Sequence, residues 1–94
     1  MTELDLIVRG GKVVTATDTM NCDIGIRDGR IVVLAEELEI DGADVIDATA
    51  QWVTPGGIDG HCHLDQPSND GSKAADDFFT GTRSAVAGGT TTVI

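Results

Sequence analysis

The run Pro55-Gly56-Gly57-Ile58-Asp59-Gly60-His61-Cys62-His63-Leu64-Asp65 divides the chain into two textures. Before it, apolar residues alternate in short bursts between turn signals, the pattern of strands. After it, the sequence predicts a strand over Ile58–Leu64, a loop over Pro67–Lys73, a helix over Ala74–Ala87 and a β-branched strand over Thr90–Ile94. Strand, helix, strand in that order implies a crossover and therefore a parallel pair. Parallel sheets are covered on both faces, and a single such unit cannot cover its second face. The sequence also stops at Ile94 inside an apolar run, so the expectation is the N-terminal part of a longer protein.

Residues 1–54 predict a small antiparallel β unit of five or six strands. Leu4–Val8 and Lys12–Thr15 flank Arg9-Gly10-Gly11 as a hairpin. Cys22–Arg27 alternates with Ile24 and Ile26 on one face, and Asp28-Gly29, a strong hairpin signal, leads into Arg30–Leu34. Ala35–Asp44 is an acidic loop with room for one helical turn at Glu36–Leu38. Val45–Asp47 and Gln51–Thr54 complete the set. In the second half, Phe78, Thr82, Ala85 and Val86 share one helix face. Asp76 and Asp77 fall in its first turn, where the helix dipole favours acids, and Gly88-Gly89 ends it. Gly81, inside that helix, costs about 1 kcal/mol relative to Ala, which close packing against a neighbouring strand would justify.

Ninety-four residues make one small domain's worth of chain. Six basic against sixteen acidic residues give a net charge of −10, which argues against nucleic acid and anionic membranes as partners. Cys22 and Cys62 have no metal-type spacing. The acidic start Met1-Thr2-Glu3-Leu4-Asp5 is unlike a secretory leader, and no run approaches the length that spans a bilayer. A cytoplasmic setting with free thiols is expected.

Both histidines of the chain stand at positions 61 and 63. On a strand, side chains alternate faces, so His61 and His63 would point the same way and Cys62 the other. Two imidazoles on one side suit zinc or another divalent transition metal. A catalytic zinc takes about three protein ligands and a water, so two histidines make an incomplete set and no complete catalytic constellation is present.

Three blocks carry a resemblance. They are Asp5-Leu6-Ile7-Val8-Arg9-Gly10-Gly11-Lys12-Val13-Val14 with Asp23-Ile24-Gly25-Ile26-Arg27-Asp28-Gly29-Arg30-Ile31; then Pro55 to Asp65; then Ala75 to Thr92. In this order the chain resembles the N-terminus of the cyclic amidohydrolases, in their dihydropyrimidinase/D-hydantoinase group. The resemblance implies a mixed α and β fold. Residues 1–54 would be the N-terminal part of a small β-sandwich, and 55–94 the first β-α-β unit of a (β/α)8 TIM barrel. It implies that His61 and His63 ligate one ion of a binuclear metal centre, usually two zinc ions. The remaining ligands, a carboxylated lysine, two further histidines and an aspartate, would lie on later strands. The implied reaction is hydrolytic opening of a small cyclic amide, a hydantoin or dihydropyrimidine, by a homo-tetramer or dimer.

Asp65 stands where dihydroorotases carry an arginine for the substrate carboxylate, so that activity is disfavoured, and Asp65 becomes a candidate substrate-side residue. Gln66 follows where an apolar residue is more usual in the group. The resemblance leaves two other functions open for the chain: a non-catalytic assembly relative, or a stand-alone metal-binding or interaction module. The 94 residues by themselves are expected to be inactive.

Overall fold

The computed structural model describes residues 3–94, which form two compact units, one reaching Pro55 and one running from Gly56 to Ile94.

The first unit is a five-stranded sheet of β1 (Leu6–Val14), β2 (Thr19–Arg27), β3 (Arg30–Ala35), β4 (Asp44–Asp47) and β5 (Trp52–Val53), in the order β3-β2-β1-β4, with β5 also on β1. β1 is antiparallel to β2, and β2 to β3, whereas β4 and β5 both run parallel to β1. The sheet is therefore mixed and not the antiparallel unit expected. Asp28 and Gly29 make the expected hairpin: their φ angles of 52° and 73° are those of a type I′ turn, which matches the twist of the flanking strands.

The expected turn at Arg9-Gly10-Gly11 is instead a bulge inside one long strand. The β1–β2 register shifts between Val8 and Gly11, and Gly10 takes a φ of 76°. A left-handed glycine serves a bulge as well as a turn, and here both outer edges of β1 find partners. The bulge exposes the Gly10 N–H, which donates to Asp23 Oδ1 at 2.9 Å; Oδ2 of the same carboxylate accepts from Leu38 N at 2.9 Å. Arg9 Nε lies 3.7 Å from that carboxylate, and its Nη2 donates to Leu38 O at 2.7 Å. The buried Asp23 thus ties the bulge to the segment after β3, which forms no helical turn. Val13, Cys22 and Ile24 form the core, with Val8, Met20, Ile26 and Val53 packed against them. Gly25 is needed bare: a Cβ there would meet Val33 Cγ1 at 2.5 Å and Leu4 Cδ1 at 2.8 Å.

The second unit contains β6 (Gly57–Asp59), α1 (Phe78–Ala87) and β7 (Thr90–Val93), with β6 and β7 parallel. The helix is shorter than expected. Asp77 is its N-cap and not a first-turn residue: its carboxylate accepts from Thr80 N at 2.8 Å, while the Thr80 hydroxyl accepts from Asp77 N at 3.1 Å. This reciprocal box fixes the start, and Gly88 with Gly89 (φ 96°) fixes the end. The expected face is covered only in part, at Thr82 and Ala85. Phe78 and Val86 are 64% and 60% exposed, and the covered side runs through Gly81, Thr82 and Ala85. Among the described residues, no helix is long and apolar enough to cross a membrane.

Candidate metal centre

β6 ends at Asp59, so both histidines lie just past its C-terminal end and not within a strand reaching Leu64. Their convergence comes from how the connecting segment is pinned. Asp59 Oδ1 accepts from His61 N at 3.1 Å, closing a tight turn directly after the strand. Cys62 N donates to Ile94 O at 3.2 Å and its thiol to the same carbonyl at 3.7 Å, so the sulfur is engaged at the end of β7. Asp65 takes a left-handed φ of 51°, and its N–H donates to Asp76 O at 2.8 Å, just ahead of the helix.

Leu64 supplies the packing. It sits half-buried against the helix at Gly81, where a Cβ would come within 2.2 Å of Leu64 Cδ2. The bare glycine expected to face a strand therefore admits a side chain from the histidine-bearing segment. Each backbone tie replaces a bond to water and is worth only about 1 kcal/mol, somewhat more where the acceptor is the Asp59 carboxylate. Their value is geometric: with the packing of Leu64, they hold the five-residue stretch from His61 to Asp65 with little freedom.

The result is a pair of exposed imidazoles with Nε2 atoms 3.0 Å apart and ring centroids 5.0 Å apart, tilted by 39°. Two nitrogens bound tetrahedrally to one zinc at about 2.0–2.1 Å would stand roughly 3.4 Å apart. The observed spacing needs an opening of only a few tenths of an ångström, so the pair fits as two ligands of one ion. Without an ion, one ring must be protonated on Nε2 to share a hydrogen bond with the other. The second ring nitrogen of His63, Nδ1, contacts Gln66 Oε1.

The set goes no further within the described residues, where no three of His, Cys, Asp and Glu cluster as a metal would require. Asp65 is exposed and lines an open depression with Gln66, Pro67, Ser68, Lys73 and Ala74. In the same loop, Asp70 accepts from the Ser72 hydroxyl at 2.6 Å, the Ser68 hydroxyl at 2.7 Å and Ser72 N at 2.9 Å. These bonds, the Ser72 hydroxyl first, hold its carboxyl well below the usual carboxylate range. Asp59, Leu64, Gln66 and Gly81 all shape the segment but carry no spacing signal of their own; only the mid-helix glycine marked its position in the sequence.

The chain is 50% identical over 88 residues to the D-hydantoinase of Geobacillus stearothermophilus, covering 94% of this chain and 18% of that protein. Among solved structures, it matches a D-hydantoinase from a Bacillus species with a TM-score of 0.86 and 52% identity, over 94% of this chain and 19% of the other. The chain belongs to the D-hydantoinase and dihydropyrimidinase group. Dihydropyrimidinase from Brevibacillus agri extends the likeness to the group's second name, with a TM-score of 0.84 and 46% identity over 93% of this chain and 19% of the other. No family model matches the chain. This member of the hydantoinase group spans about a fifth of the length of the relatives it matches.

Proposed function

We propose that this chain is part of a metal-dependent hydrolase that opens cyclic amides of the hydantoin or dihydropyrimidine type, with His61 and His63 as two ligands of its metal centre. The observation that supports it is the meeting of the two Nε2 atoms, 3.0 Å apart, directly after a parallel strand in a chain of the hydantoinase group. Barrel enzymes build their sites at that end of their strands. Residues 55–94 are accordingly assigned to the first β-α-β unit of a (β/α)8 barrel, and 1–54 to part of a β-sandwich. An apolar depression lined by Val13, Ile24, Ile31, Leu34 and Val53 is a face such a sandwich would close.

His61 and His63 would hold the ion, zinc by the group's habit and two ions per site. Asp59, Ile94 and Asp76 keep the histidine-bearing segment in place through the hydrogen bonds described. Asp65, which lines an open depression two residues after His63, is the candidate substrate-side residue. When bound, such a metal polarises an amide carbonyl and makes water a competent nucleophile near neutral pH. With two ligands and no third within reach among the described residues, the 94 residues alone would be inactive. The working protein is assigned to the cytoplasm on its free thiols and acidic start, and to a homo-tetramer or dimer on its likeness to the group.

The test is to isolate the protein from its source cell, weigh it intact, and assay ring opening of hydantoin and a dihydropyrimidine with and without chelator. The expected result is a mass several times 9.8 kDa and metal-dependent hydrolysis that His61→Ala or His63→Ala abolishes. A mass near 9.8 kDa with no ring opening would reject the hydrolase and leave a binding or assembly role. Tight zinc binding by such a short protein, lost in His61→Ala, would make it a metal-binding module.

A further inference from the structure

We propose that Gln66 is a positioning residue that sets the tautomer of His63. The inference rests on the metal-centre assignment above and adds to it a residue outside the ligand pair. A neutral imidazole carries one proton, and a metal takes the nitrogen that lacks it. Free imidazole side chains prefer the proton on Nε2, the atom that here faces His61 at 3.0 Å. Left to itself, His63 would therefore present a proton where a ligand must present a lone pair.

Gln66 reverses that preference. Its Oε1 meets His63 Nδ1 and can only accept, so the shared proton belongs to Nδ1 and the Nε2 lone pair is free. An acceptor on the distal nitrogen is how metal-ligating histidines are generally oriented. The contact depends on the chain turning back at Asp65, whose φ of 51° brings the residue after it over the ring of the residue two before it. Leu64, seated against Gly81, and the Asp65 N–H bond to Asp76 O keep that turn from opening. An apolar side chain at 66 could fill the same space but could not accept the proton.

The experiment uses the 94-residue chain, labelled with 15N, at a pH where both imidazoles are neutral. Two-bond proton–nitrogen spectra assign which nitrogen of each ring is protonated, and titration with Co2+ alone, followed by its visible absorption, reads affinity. Gln66 is exposed, so Gln66→Leu removes the acceptor without disturbing a core. The expected result is His63 protonated on Nδ1 in the parent and on Nε2 in Gln66→Leu. Co2+ binding should weaken about 10-fold or more, the usual loss when such a partner is removed. Gln66→Glu, which keeps an acceptor, should restore both. A His63 tautomer that is the same in the parent and Gln66→Leu would overturn the proposal. If the tautomer switches but His63→Ala binds Co2+ as the parent does, the assignment of Gln66 stands and the metal reading fails, so the two are separable.

Discussion

Asp77 shows how much one side chain can decide. Its carboxylate accepts from Thr80 N, which holds its pKa below the ordinary 3.8. A group with a depressed folded-state value stabilises the fold above its unfolded value and stops doing so as pH falls through the folded one. The helix Phe78–Ala87 should therefore lose helical circular dichroism as pH drops below 3.8. Asp70 is also held low by its hydrogen bonds, so Asp77→Asn is the control: an equally good cap without a charge, it should flatten the helix's share of that change. Asp23 is the buried counterpart, 3% exposed and accepting from two backbone N–H groups. Asp23→Ala strands both donors and should cost about 2 kcal/mol or more in urea unfolding. Neither role could be read from an isolated aspartate in the sequence, because each depends on which N–H groups the fold leaves unpaired.

At the level of elements, local chemistry was legible and non-local pairing was not. Asp28-Gly29 announced its hairpin because both residues must adopt positive φ and both do so readily. Gly10-Gly11 sent the same message, yet it became a bulge, since only β4 and β5, far along the chain, decide whether β1 continues. The parallel pair β6–β7 followed from the strand-helix-strand order, but β6 stopped short of the histidines that alternation alone would have placed in it. The spacing of His61 and His63 singled out the pair. What brings them together is a turn at Asp59 and a notch at Gly81, and neither has periodicity. That notch is open to test. Gly81→Ala would raise helix propensity by about 1 kcal/mol while driving a methyl into Leu64, an overpacking cost of roughly 1–3 kcal/mol. The expected outcome is little or no gain in thermal stability, with shifted imidazole resonances of His61 and His63. Adding Leu64→Ala to Gly81→Ala should return those resonances toward the parent positions.

The two units of the molecule are unequally built. All the buried hydrophobic residues described, Leu4, Ile7, Val13, Cys22, Ile24 and Ala48, belong to the first unit. In the second, Ile58 is 72% exposed, Phe79 70% and Ile94 76%. Regions with few buried apolar contacts open at low free-energy cost. Hydrogen exchange on the 94-residue chain should therefore find slow amides in β1 and β2 and fast ones throughout residues 56–94. Equal protection in both halves would contradict that imbalance. The layout of the first unit also has a consequence for its birth. β1 leaves the ribosome before the other four strands of its sheet yet occupies the middle of it, with β2 along one side and β4 and β5 along the other. Once the β1–β2–β3 meander has formed, the far edge of β1 is an open row of peptide groups until residues 44–53 have been synthesised. An unpaired strand edge is a template for another chain. Translation pausing between Ala35 and Asp44 would lengthen that interval, and a nascent chain held there should be captured by chaperones or by its neighbours on the same message.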